Sequence, residues 1–307
     1  MPSDEVRLFF GDADGAANRL QILFAFRLNE ALMLGLARQD PAPVVEALQT
    51  LPALPRHGQW ATFLRNHDEV DLSGLSIAER DAVFAAFGPE RRQQLYRRGV
   101  RRRPASMLGD ERRLRMAYSL QFTMPGTPVL RYGDEIGMGE DLSLPERDAI
   151  RTPMQWSATA NAGFSNADPD ALIRPLVADG QYAYERVNVT DQRPDPDSLL
   201  LLWFERVLHT LRECAEIGVG DHEVVPVGPA SVLAHRAQAP GGSIVFLHNL
   251  ADEPVRVCLP PKLDHDDHPV EVFSDREYQC CDLRDLELDG YGYRWIRLRR
   301  SHDRGMR

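Results

Sequence analysis

Lysine is almost absent from this 307-residue chain: Lys262 is the single lysine among 36 basic residues, so arginine carries nearly all the positive charge. A GC-rich genome would explain that bias without any chemistry. Cysteine is scarce too, with four residues of which Cys280 and Cys281 are adjacent. That spacing excludes a disulfide framework and argues against spaced metal ligands, so all four are read as ordinary thiols. Long apolar runs are missing: stretches such as Leu199 to Phe204 are far too short to span a bilayer. The first residues, Met1-Pro2-Ser3-Asp4-Glu5, lack the basic and apolar regions of a signal peptide, so a cytoplasmic protein is expected. Net positive charge is also absent. The formal charge of -10 disfavours nucleic acid and anionic membranes as partners and suits neutral substrates. No internal repeat or low-complexity tract is found.

What is present is enough for a large core, with 43% hydrophobic residues in a length that fits one large domain or two ordinary ones. Leu20 to Phe26 is nearly all apolar, as a strand buried on both faces of a parallel sheet would be. Leu28, Ala31, Leu32, Leu34 and Gly35 fit a helix packed on that sheet, ended by Asp40-Pro41, with a second short helix to Thr50. Trp60 to Leu64 reads as the next strand, opening into the polar cluster Arg65-Asn66-His67-Asp68-Glu69. Residues 75–109 are charged and helical in character. A helix follows over 110–123, stopped by Pro125-Gly126, and a strand over Pro128 to Tyr132. Strand, helix and strand thus alternate as in a parallel α/β fold. The long stretch 137–196, with its apolar anchors Met154, Trp156, Phe164, Tyr182 and Tyr184, reads as an ordered functional loop. After a helix over 198–216 the pattern turns to short β-rich runs separated by turn residues, which is an antiparallel β domain. The expected boundaries are 1–218 for the α/β part, 219–301 for the β part and 302–307 for a frayed tail.

Chemistry is expected at the polar cluster, because Asn66, His67 and Asp68 follow a buried parallel strand, the edge where barrels place their active sites. An Asp capping a helix beside a hydrogen-bonded His also fits that triplet alone. The basic residues Arg91, Arg92, Arg97, Arg98, Arg101, Arg102 and Arg103 are read as a solvated, ion-paired helical surface and given no function. Gly11-Asp12-Ala13-Asp14-Gly15 lacks the remaining ligands of a calcium loop. Asp264-His265-Asp266-Asp267-His268 is read as a solvated turn. No metal and no cofactor are expected.

The segment Met124 to Met138, with Gly126-Thr127-Pro128-Val129-Leu130-Arg131-Tyr132-Gly133-Asp134-Glu135 at its centre, resembles the eighth-strand signature of glycoside hydrolase family 13, the α-amylase family. Arg147 to Trp156 followed by Asn161-Ala162-Gly163-Phe164 resembles a loop shared by oligo-1,6-glucosidases, α-glucosidases and trehalose synthases. Gln59 to Glu69 and Gly290-Tyr291-Gly292-Tyr293-Arg294-Trp295 are most similar to the trehalose-synthase branch.

The resemblance implies the later part, about strands 6 to 8, of a (β/α)8 TIM barrel, followed by an antiparallel β-sandwich. It also implies retaining chemistry on α-glucosides: conversion of maltose to trehalose by intramolecular glucosyl transfer. Such chemistry needs a nucleophilic carboxylate and an acid/base carboxyl group. Family correspondence makes Asp68 the third carboxylate, a transition-state stabiliser, with His67, Arg147 and Arg151 binding the sugar. For the two arginines an internal salt bridge with Asp148 or Glu146 is the competing reading. Leu20 to Phe26 aligns with the sixth strand, and Phe9-Phe10-Gly11-Asp12 resembles the stretch just after the acid/base. The nucleophile and acid/base are therefore expected to lie outside the chain, which would be inactive alone and could pair with a polypeptide supplying the other barrel strands. A noncatalytic sugar binder and a hydrolase of oligo-1,6-glucosides or maltose stay open as alternatives.

Overall fold

The computed structural model describes residues 5–6, 8–11, 19–55, 57–193, 199–263, 269–279 and 281–298. The Asp12–Asp14 loop, the 264–268 turn, Cys280 and the tail lie outside them. Two compact units are formed. One comprises the chain up to Phe63, Tyr118–Val129 and everything from Thr210 on; the other comprises Leu64–Ala117 and Leu130–His209.

In the first unit a parallel three-stranded sheet has the order β1-β2-β6, with β1 Ile22–Phe24, β2 Gln59–Thr62 and β6 Thr127–Pro128. Leu23 pairs with Trp60 and Ala61 with Thr127. Between β1 and β2 lie α1 Phe26–Arg38 and α2 Ala42–Thr50. The first ends on Gln39 in the left-handed region, and Asp40 Oδ1 accepts from the Ala42 amide at 2.9 Å to start the second. β6 is shorter than the run Pro128–Tyr132 suggested. Proline cannot donate to the ladder, and the Gln121 side-chain amide takes over, donating to the carbonyls of Thr62 and Val129 at 3.1 and 3.0 Å. Gly126 before it sits at φ 125°, where a Cβ would come within 2.3 Å of the Trp60 carbonyl oxygen.

The strand expected to be buried on both faces is instead half open. Ile22 is 50% and Phe24 44% exposed, and Phe26 beyond it 49%. β1 is the edge of its sheet, paired among the described residues with β2 alone.

The second unit holds β3 Val70–Asp71, α3 Ile77–Phe87, β4 Gln94–Leu95, β5 Gly99–Val100, α4 Pro104–Leu108 and the start of α5 Glu111–Thr123. Ser76 and Glu79 form a reciprocal capping box at the start of α3. The strands make a small antiparallel sheet in the order β3-β5-β4, where the charged composition had suggested helix throughout. The loop 137–188 is ordered around Ile136, Met138 and Met154. It leads to α6 Val189–Gln192 and α7 Leu199–Glu213, and α8 Ala215–Val219 then returns the chain to the first unit.

That unit continues with β7 Asp221–Val224, β8 Val232–Ala239, β9 Gly242–Asn249, β10 Val255–Val257, β11 Val270–Ser274, β12 Leu286–Leu288 and β13 Tyr293–Leu298. Five of them form an antiparallel sheet, β11-β13-β9-β8-β7, and β10 pairs with β12. Alternation places Val232, Ala234, Val245, Leu247, Ile296 and Leu298 in one core with Leu286 and Leu288. The other face carries Phe246 and Trp295, packed edge to face at 5.6 Å. Here Trp295 Nε1 donates to Ser119 Oγ on α5 at 2.9 Å.

Candidate functional site

Beyond β2 the residues 63–69 lead straight into the polar cluster. Asn66 is buried and its Oδ1 accepts from the Asp68 amide at 2.8 Å, an Asx-type turn that presents Asp68 outward. The Asp68 side chain keeps 38% of its surface exposed, so it is not part of a packed interior. Arg151 donates to its Oδ1 through Nη2 at 2.7 Å, and the same arginine reaches the His67 carbonyl through Nε at 2.8 Å. Arg147 Nη1 stands 3.5 Å from Oδ1 and His67 Nε2 3.8 Å from it. The four residues singled out in the sequence thus meet at one carboxylate. The contacts found among the described residues fall on Oδ1, and none falls on Oδ2.

Glu69, which motif reasoning passed over, is what holds Arg147. It accepts from Arg147 Nε at 2.6 Å and Nη2 at 3.2 Å, and from Arg98 Nη2 at 3.4 Å. Burial alone would push the Glu69 carboxyl up, but the hydrogen bond and charge of Arg147 outweigh it and hold it below the usual carboxylate range. The same bond raises the Arg147 pKa. Neither Asp148 nor Glu146 takes the two arginines; Asp148 pairs with Arg174 at 3.0 Å. Gly99 makes the fit possible, since a Cβ there would lie 2.6 Å from the Glu69 Cγ.

The arginine run, expected to be a solvated, ion-paired helical surface, is exposed at Arg91, Arg92, Arg97 and Arg98 and ion-paired at Arg92 and Arg98, whereas Arg101, Arg102 and Arg103 are drawn into the structure. Arg101 donates to the carbonyls of Leu142, Leu144 and Glu146, and Arg102 to Glu140 at 3.0 Å. Arg103 is fully buried and pairs with Asp134 at 2.9 Å. Arg131 clasps the Ile150 carbonyl with Nε and Nη2 at 3.1 and 2.8 Å, and the Tyr132 hydroxyl donates to the Thr152 carbonyl at 2.8 Å. These bonds pin the loop on both sides of Arg147 and Arg151, fixing guanidiniums that solvent would otherwise leave mobile. Arg65 is buried with no hydrogen-bond partner for any guanidinium nitrogen among the described residues. Burial pushes its pKa down to about 9.

An exposed carboxylate flanked by two fixed guanidiniums and an imidazole can grip adjacent hydroxyls of a neutral polyol, accepting at Oδ2 and donating from the arginines. Glu69, the neighbouring carboxylate, is locked by its arginines. Glu69 is therefore not free to act as a nucleophile or a proton donor beside Asp68.

Residues 100–217 match the α-amylase catalytic domain, and residues 241–297 match the sucrose hydrolase-like C-terminal domain. Trehalose-6-phosphate hydrolase from Bacillus licheniformis superposes with a TM-score of 0.66 at 16% identity, over 98% of this chain and 55% of that one. The fold is accordingly that of the later part of an amylase-type (β/α)8 barrel and its C-terminal β domain. The chain belongs to the α-amylase family, glycoside hydrolase family 13. Within it, the chain is 36% identical over 300 residues to trehalose synthase of Thermus thermophilus, covering 96% of this chain and 30% of that protein. It is 35% identical over 310 residues to the trehalose synthase/amylase of Mycolicibacterium smegmatis, covering 97% and 52%. Among the described residues no helix is long and apolar enough to cross a membrane.

Proposed function

We propose that this chain supplies the sugar-gripping half of a trehalose synthase-type active site, acting in the cytoplasm on maltose, trehalose or related α-glucosides. Asp68 holds the hydroxyls of one glucose as the ring flattens toward an oxocarbenium ion, Arg147 and Arg151 contact the same sugar, and His67 hydrogen-bonds its edge. The observation that carries this reading is the part-exposed Asp68 carboxylate between fixed arginines, in a chain similar to trehalose synthases along nearly its whole length.

The retaining chemistry needs two further carboxyl groups about 5 Å apart. Glu69 fills neither role, because Arg147 and Arg98 occupy it. The nucleophile and acid/base come from a polypeptide bearing the earlier barrel strands, and this chain alone does not turn over maltose. The exposed β1 edge, with Ile22, Phe24 and Phe26, is where a parallel strand of that polypeptide pairs.

The test is saturation-transfer NMR with D-glucose and maltose on the purified chain and on Asp68→Asn, alongside anomeric NMR for trehalose. Sugar signals lost in the variant and no trehalose without added polypeptide are expected. Equal signals from both proteins would refute the sugar site, and steady trehalose formation by the chain alone would refute the shared active site.

A further inference from the structure

The hairpin joining β4 to β5 reverses through Tyr96 and Arg97, left-handed at φ 52° and 57°, with the Arg98 amide donating to the Leu95 carbonyl at 3.1 Å. Two central residues at positive φ define a type I′ turn, whose positions favour asparagine and glycine because a larger side chain crowds the following carbonyl. A tyrosine is strained there, and packing does not offset the strain, since Tyr96 is 48% exposed. Strain of this kind persists where the surroundings impose it and clusters at ligand sites.

The surroundings of Tyr96 are specific. The Glu146 carboxylate stands close enough to its hydroxyl to push the Tyr96 pKa up. Glu146 is itself left-handed, at φ 43°. The ring lies 5.7 Å from the Arg147 guanidinium, which bridges to Asp68 at 3.5 Å. A half-exposed aromatic thus stands one guanidinium away from the Asp68 carboxylate, with Glu146 and Arg147 beside it. An aromatic face suits the apolar C–H face of a pyranose, while Glu146 and Arg147 suit the hydroxyls around it.

We propose that Tyr96 is the platform for the second sugar of an α-linked diglucoside, stacking the ring next to the glucose held by Asp68 and so selecting disaccharides over glucose. This rests on the sugar reading of Asp68 given above. The purified chain, Tyr96→Phe, Tyr96→Asn and Asp68→Asn are titrated with D-glucose and with maltose by protein-observed NMR, and their thermal midpoints are compared by circular dichroism. Asparagine suits the turn, so Tyr96→Asn keeps or raises its midpoint and keeps its glucose affinity but binds maltose about fivefold more weakly, while Tyr96→Phe keeps both affinities. Unchanged maltose affinity in Tyr96→Asn overturns the platform while leaving the Asp68 reading standing. Absence of binding of either sugar by the wild-type chain, or wild-type affinities in Asp68→Asn, overturns that reading and the platform with it.

Discussion

Acidification from pH 7 to pH 5 should destabilise the unit containing the C-terminal sheet through two buried histidines. His248 Nε2 lies 2.9 Å from Ser119 Oγ, and His235 Nε2 lies 3.1 Å from Thr123 Oγ1. The rings stack at 6.2 Å, and the Nδ1 of each has no hydrogen-bond partner among the described residues. Burial pushes His248 down from 6.5 to about 3, the hydrogen bond to Ser119 opposing it; burial, then the neighbouring His248 and His222, push His235 well below 6.5. The His248 ring stays neutral in the folded state at pH 5 and the His235 pKa is shifted the same way, whereas in the unfolded chain both rings take up protons below about pH 6.5. A depressed folded pKa therefore means stability that is present above pH 6.5 and lost as pH falls.

For His248 the linkage amounts to about 2 kcal/mol lost between pH 7 and pH 5, and His235 acts in the same direction. Urea unfolding at the two pH values, on the wild type and on His248→Gln, measures it. Asp275 and Glu135 are pushed up mainly by burial, so they act in the opposite direction. The difference between wild type and variant isolates the histidine. The variant should lose about 2 kcal/mol less than the wild type on acidification. An identical pH dependence in the two proteins would refute the assignment.

Asp134→Asn, which leaves the Arg103 guanidinium buried without its charge partner, should cost about 3–5 kcal/mol in denaturant unfolding at pH 7. Gly126→Ala should cost on the order of 3 kcal/mol in the same measurement, from positive φ and the clash with the Trp60 carbonyl. Ile22→Lys, placed on the open β1 edge, should lower concentration-dependent association of the isolated chain in light scattering without lowering its thermal midpoint. In peptide mapping after alkylation at pH 8, Cys214 should react far more slowly than exposed Cys258, because burial pushes the Cys214 thiol up to about 11.

Reading order alone places β1, α1, α2, β2 and α5 close to where they form, because each carries a local apolar period or a capping signal. The capping box at Ser76 and Glu79 was equally open to view, yet the small β3-β5-β4 sheet that follows was not. Its strands are two residues long, and its turn uses Tyr96-Arg97 where glycine or asparagine would announce it. The Asn-His-Asp triplet pointed to Asp68, but nothing local pointed to Glu69, whose partner Arg147 lies 78 positions away.

What this amino-acid order determined by itself is the set of elements and the chemistry beyond β2. Periodicity, caps and motif residues act over a few positions and are written locally. Only the tertiary structure decided the rest: which carboxylate each arginine answers, that Arg101, Arg102 and Arg103 bond to backbone carbonyls, that β1 lies open, and that two histidines are buried against α5. These are contacts between residues far apart in the chain, and their energies depend on burial and direction, which exist only once the elements have packed.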